Sequence, residues 1–271
     1  MLRIIERNIV GKNPHGGCED GIVATRHFAA VIDGSTSKTA MRVNGNYTNG
    51  QWCMMLIAEY VAEMPCDICL DGFLDGITQH IRRQYEAAHI DLKRLATHTE
   101  ERLTASAAIY SVARQEVWLV GDCQCLTHGT AHDNPKPQEA RIAAKRAALL
   151  HRALQHGATV DELQRHDIGR EGIVADIIEG SRRQNIDYAV IDGFDIPRHG
   201  VKTIKVVPGD TVVLATDGYP VLLPTLNGSE QLLQQLLHDD PLCIDRYQAT
   251  KALMAGYQSF DDRAYLSVAD G

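Results

Sequence analysis

Two apolar runs in this chain stop at the same dipeptide. Phe28-Ala29-Ala30-Val31-Ile32 ends at Asp33-Gly34, and Val212-Val213-Leu214-Ala215 ends, after Thr216, at Asp217-Gly218. Short continuous apolar runs bounded by turn residues predict strands buried on both faces. The rest of the chain supplies the layers that such strands need. Strands are expected at 2–5, 22–32, 104–113, 116–120 (through a hairpin link at Arg114-Gln115), 188–191, 201–206, 211–216 and 264–268, with extended chain to Thr127. Helices are expected at 51–64 and along a stripe from Leu74 through Ile77, Ile81 and Tyr85 to Leu95, whose steps of three and four residues make one face. Residues 137–183 turn helical again, with Thr159 a candidate N-cap, and further helices are expected near 229–237 and 244–255. Helices and strands therefore come in blocks, which predicts an α+β fold with largely antiparallel sheets. At 271 residues the chain is long enough for two domains of roughly 150 or for one large sandwich or barrel. The absence of a Pro/Ser-rich linker and of internal repeats favours a single domain over 1–271.

Composition narrows the function. Hydrophobic residues make up 44% and charged residues 23%, an ordinary globular mixture. Lys+Arg number 27 against 35 Asp+Glu, giving a net charge of −8, and no basic run offsets it; nucleic-acid and membrane-surface binding are not expected. The longest apolar stretch, 52–64, carries Glu59 and Glu63 and falls short of the ~20 apolar residues of a membrane span. The charged start of the chain does not read as a secretory leader. Its seven irregularly spaced cysteines predict reduced thiols and a cytoplasmic setting. The one CxxC, Cys66 to Cys69, has no second ligand pair to complete a zinc site and reads as ordinary thiols before a helix.

The chemistry lies in where the carboxylates fall. Asp33 and Asp217 follow apolar strands, Asp261-Asp262 precede another, and Glu19-Asp20 precede the strand leading to Asp33. Each Asp-Gly pair alone reads as a turn. Several together at strand ends form a self-repelling cluster that a cation would neutralise, and oxygen-only ligands favour Mg²⁺ or Mn²⁺.

In that order the motifs resemble those of the metal-dependent protein phosphatases, the PPM or type 2C-like family. They are Cys18-Glu19-Asp20-Gly21, Phe28 to Gly34, Val120-Gly121-Asp122-Cys123, Leu214 to Gly218, and Phe260-Asp261-Asp262. The Asp261-Asp262-Arg263 form is closer to the bacterial sporulation-type members. The resemblance implies a four-layer α-β-β-α sandwich, two antiparallel sheets face to face between outer helices. It implies two Mn²⁺ or Mg²⁺ ions, with Asp33 touching both, Asp217 and Asp261 on one, and the Gly34 carbonyl on the other. Glu19 and Asp20 would act on that second ion directly or through water, and Asp122 on a looser third one. The implied activity is phosphomonoester hydrolysis by a metal-activated water, with a phosphorylated protein or small phosphomonoester as substrate and no enzyme nucleophile. Oligomeric state is left open.

The chain departs from the family at two positions. The family's phosphate-gripping Arg, four residues before Glu19, is His15 here, so that His15, Lys12 or Arg26 becomes the candidate phosphate contact. An acid expected beyond Asp217 is Val221. These departures keep open a phosphatase-like binding or regulatory module without turnover. The helical stretch 137–183 falls where the family carries a variable flap. Its Arg141, Lys145, Arg146, Arg152, Arg165, Arg170, Arg182 and Arg183 suit either docking of an anionic partner or a solvated amphipathic surface.

Overall fold

The computed structural model describes residues 2–270. Its strands pair, antiparallel throughout, into two five-stranded sheets. One sheet runs β2 (Asp20–Ala24), β3 (Phe28–Gly34), β4 (Ala105–Ser111), β5 (Glu116–Val120) and β8 (Val201–Lys205). The other runs β1 (Leu2–Val10), β10 (Arg263–Asp270), β9 (Thr211–Ala215), β6 (Gln124–Thr127) and β7 (Thr130–His132).

The alternation of side chains along each strand explains the continuous apolar runs. In β3, Ala29 and Val31 join Tyr110, Leu119, Leu214 and Leu266 in the core between the sheets. Phe28, Ala30 and Ile32 face the other way, onto Leu56 and Ile57 of α1 (Asn49–Glu63) and Phe73 and Ile77 of α2 (Leu70–Ala87). Val213, Ala215 and Tyr265 of the second sheet pack outward on Leu233 and Leu237 of α8 (Leu226–Asp239). The expected four layers are present.

Several expected boundaries shift, each for a local reason. The expected strand over 22–32 is a hairpin, because the Thr25 hydroxyl accepts the N–H groups of His27 (3.2 Å) and Phe28 (3.0 Å) and turns the chain. The stripe from Leu74 to Leu95 spans two helices: α2 ends where His89 takes a φ of 55°, and Asp91 caps α3 (Leu92–Thr97). Both pieces cover one core, so the stripe survives the break. The segment 188–191 makes only isolated bridges, Gln184 with Tyr188 and Ala105 with Ile191. The first strand extends through Val10 instead of stopping at Ile5.

The largest difference is 244–255, which is coil and not a helix. The Asp240 carboxylate accepts the N–H groups of Ile244, Asp245 and Arg246 at 2.8–3.1 Å. The fully buried Arg146 donates to the carbonyls of Leu242 (2.9 Å) and Ala249 (3.0 Å). Side chains thus take up backbone groups that a helix would have used.

Arg146 lies on α4 (Glu139–Gln155), the first of four helices between β7 and β8, and also pairs with Asp167 at 2.7 Å. It ties this helical segment, completed by α5 (Val160–Arg165), α6 (Ile168–Glu171) and α7 (Val174–Ser181), to the coil before Asp261. Arg146→Met leaves Asp167 buried without its partner; urea unfolding is expected to show a loss of about 3–5 kcal/mol. An unchanged midpoint would mean that this anchor carries no stability. Lys145, Arg165, Arg182 and Arg183 on the segment pair with Asp176, Asp161, Glu179 and Asp187, while Arg141 and Arg152 are exposed with no ion-pair partner among the described residues.

Candidate active site

The acidic residues come from strand ends and the loops between them. Asp20 opens β2 and Asp33 nears the end of β3, and the two stand directly opposite in register. Asp122 follows β5, Asp217 follows β9, and Asp261 lies just before β10. Thr216 ties the last two loops together: its N–H donates to the Ala264 carbonyl at 3.1 Å, and its hydroxyl accepts the Ala264 N–H at 2.8 Å. Carboxylate oxygens of Asp33, Asp122 and Asp217 all lie within 4.8 Å of one another.

Two glycines permit this convergence. A Cβ on Gly34 would sit 2.5 Å from the Gly50 carbonyl oxygen and 2.6 Å from that of Glu19, so the β3 end lies directly on the start of α1. A Cβ on Gly218 would sit 2.0 Å from the Asp262 carbonyl oxygen. Gly218→Ala must therefore push the Asp217 and Asp262 loops apart. The expected result is a stability loss of about 1–3 kcal/mol together with weaker Mn²⁺ binding, measured by denaturation and calorimetry. A stable variant with wild-type metal affinity would contradict this close approach.

Charge divides the site in two. Burial first, and then neighbouring carboxylates, push Asp33 and Asp217 well above the usual carboxylate range. Burial likewise raises Asp20, and neighbouring aspartates add to it against a hydrogen bond from Thr216. Asp122 and Asp261 go the other way. Burial works to raise both, but Lys136 outweighs it at Asp122, and Lys251 with Lys12 outweighs it at Asp261. Lys136 meets Asp122 at 2.5 Å, Lys12 meets Asp261 at 3.0 Å, and Lys251 bonds the other Asp261 oxygen.

The other residues singled out in the sequence are placed as follows. Glu19 is buried, its two oxygens accepting the hydroxyls of Thr48 (2.6 Å) and Thr36 (2.8 Å). Asp262 is a fastener, accepting the backbone N–H groups of Lys12 (2.7 Å) and Glu19 (3.0 Å). His15 is exposed on the turn at 13–16 and does not line the cavity beside the carboxylates. Val221 is 51% exposed and offers no ligand. The cationic partners Lys136 and Lys251 had no signal in the sequence, because loop conformation alone brings them to Asp122 and Asp261.

The donor set fits a hard divalent cation. All its ligand atoms are oxygens, and Asp20 keeps one carboxylate oxygen buried without any hydrogen-bond partner. Beside the carboxylates lies a cavity of about 140 Å³, lined by Asp33, Gly34, Asp217 and Asp261 together with residues of α4, α6 and α7.

A scan of protein-family models finds no match to this chain, and a search of curated proteins finds none. Solved structures do match. The Mycobacterium tuberculosis serine/threonine phosphatase PstP/Ppp superposes with a TM-score of 0.50 at 14% identity, covering 99% of this chain and 98% of that one. The catalytic domain of PstP in complex with two manganese ions gives a TM-score of 0.50 at 14% identity over 99% of each chain. Likeness at that identity speaks to architecture. Taken with the two antiparallel sheets between helices and the acidic residues gathered at their ends, it shows that the chain has the fold of the bacterial PPM, type 2C-like serine/threonine phosphatases.

Proposed function

We propose that this chain is a phosphomonoester hydrolase that uses two Mn²⁺ or Mg²⁺ ions and acts as a protein serine/threonine phosphatase. The convergence of Asp33, Asp122 and Asp217, with Asp20 beside them holding an unpartnered oxygen, carries the reading. Asp20, Asp33, the Gly34 carbonyl, Asp217 and Asp261 would hold the ions, with Glu19 acting directly or through water and Asp122 more weakly. Bound divalent ions supply a lowered pKa for water and charge compensation at phosphorus. The protein's own groups set the stage for that chemistry. Lys136 and Ser106 fix the Asp122 carboxylate, the latter at 2.5 Å, while Lys12 and Lys251 fix Asp261. Lys12, whose ammonium also contacts the Thr36 hydroxyl at 3.3 Å, lies nearer the carboxylates than His15 and is the better candidate for a phosphate contact.

The two manganese ions of the PstP catalytic domain support the cofactor assignment. A cytoplasmic setting belongs to the same proposal and is supported by the irregular cysteines; no helix among the described residues is long and apolar enough to cross a membrane. One observation favours a second reading, a binding module without turnover: both Asp261 oxygens are already engaged by ammonium groups. Phosphate release from p-nitrophenyl phosphate and a phosphothreonine peptide decides between them. Activity that needs Mn²⁺ or Mg²⁺, disappears with chelator and returns on re-addition is the expected result. Absence of release from both substrates would overturn the enzyme reading.

A further inference from the structure

The cavity beside the carboxylates also has a cationic lining. Besides Asp33, Asp217 and Asp261 it is lined by Lys38 and Arg170. Lys136 and Lys251 also reach the cavity, but each is held by a carboxylate. Lys38 and Arg170 have no ion-pair partner among the described residues. The Lys38 ammonium donates to the Ser35 hydroxyl, and Arg170 gives one guanidinium N–H to the Thr250 carbonyl at 3.0 Å. Each therefore keeps donors for something else.

These two cations are crowded as well as unpaired. Burial first, then Lys136, Lys251 and Arg170, press the Lys38 ammonium toward its neutral form, down to about 7. Burial also lowers Arg170, against the opposing charges of Asp261 and Asp167, neither of which pairs with its guanidinium. Unpaired buried charge is costly, and an anion placed between them would offset that cost. Their placement is also rigid. Arg170 sits in α6, whose capping Asp167 accepts the Arg170 N–H at 2.8 Å and is itself clamped by the buried Arg146. A guanidinium held from behind, with its remaining donors in a cavity, is preorganised to receive an oxyanion.

We propose that Lys38 and Arg170 form an anion subsite in this cavity, and that the substrate is a phosphomonoester carrying a second anionic group that rests against them while the phosphoester lies at the carboxylates. The assignment of the phosphoester position rests on the phosphatase reading; the anion subsite stands on Lys38 and Arg170 alone. The second anion is a carboxylate or a further phosphate. Its source is either an acidic residue beside a phosphoserine or the second acid group of a small metabolite, the chemistry being the same.

Phosphonates test the subsite without turnover, because their C–P bond resists phosphatases. Calorimetry on the Mn²⁺-loaded protein compares 3-phosphonopropionate with propylphosphonate, which differ by a terminal carboxylate in place of a methyl. The carboxylated probe is expected to bind roughly tenfold or more tightly. Lys38→Met and Arg170→Met should each shrink that ratio toward one. Equal binding of the two probes to the wild-type protein overturns the subsite, as does a ratio unchanged in both variants. If one variant misfolds, judged by its melting curve, the wild-type ratio and the other variant still decide.

Turnover then identifies the source. A peptide with phosphoserine followed by Asp is compared with its Asn counterpart, and 3-phosphoglycerate with glycerol 3-phosphate. A preference of roughly tenfold in kcat/KM confined to the first pair identifies a phosphoprotein, and one confined to the second a small molecule; none in either pair overturns the proposed substrate class. A phosphonate preference without hydrolysis of any phosphomonoester would leave the subsite standing and remove the phosphatase reading. Hydrolysis without that preference would do the reverse.

Discussion

Asp33→Asn is expected to lower metal-dependent phosphate release by roughly two orders of magnitude or more while raising the melting temperature of the metal-free protein. Both effects follow from one position. The Asp33 carboxylate lies with Asp122 and Asp217 in the oxygen cluster and opposite Asp20 across the β2–β3 pair. Burial and the charges of Asp20, Asp122 and Asp261 make its ionised form costly when no cation is present. Asparagine keeps the shape and removes that charge, so the metal-free fold loses a repulsion and the metal site loses a ligand. If Asp33 were only a turn residue before Gly34, the substitution would lower stability and spare activity. Melting curves with chelator and with Mn²⁺, read beside phosphate release, separate the two accounts. Wild-type turnover in this variant would end the assignment of Asp33 as a metal ligand.

The carboxylates were legible in the sequence because a buried strand has to end somewhere, and its ends are marked. Asp33 and Asp217 follow apolar runs whose strand character is fixed by period and length, so their placement at one end of the sheets needed no knowledge of loops. The block order of elements gave the layers for the same reason. What stayed hidden depends on long-range side-chain competition for the backbone. Asp240 and Arg146 turn 244–255 into coil by binding its N–H and carbonyl groups, and nothing local to that segment announces either partner. The cations were hidden too. Family spacing pointed to His15, whereas the chain brings Lys12 to the site by bonding its backbone N–H to Asp262, 250 residues away. Arg170 was visible only as one basic residue among several on the helical segment. Its neighbours pair with acids at the surface, while its own side chain turns into the cavity.

The acidic site should also reverse the protein's response to pH according to whether metal is bound. In the metal-free fold, Asp20, Asp33 and Asp217 titrate well above the ordinary value of 3.8. Above that value the folded state holds protons that the unfolded state has released, so stability falls as pH rises toward the raised values. Each such group contributes a slope of up to about 1.4 kcal/mol per pH unit within its window. Asp122 and Asp261, shifted downward, stabilise the fold across this range and lose their effect only below about 4. Lys38 acts at higher pH. With its folded value lowered to about 7 against 10.5 unfolded, it is the unfolded state that holds the extra proton between them, so stability contributed by Lys38 rises with pH over that interval. With chelator, the melting temperature is therefore expected to fall from pH 5 to pH 7, by about 2–4 °C for each kcal/mol, and then to level as Lys38 opposes the trend. With Mn²⁺ the ligands must be ionised to bind, protons compete with the metal, and the melting temperature should instead rise from pH 5 to pH 7. Identical pH profiles with and without Mn²⁺ would mean that these aspartates do not gather around a cation, and the metal site would have to be sought elsewhere.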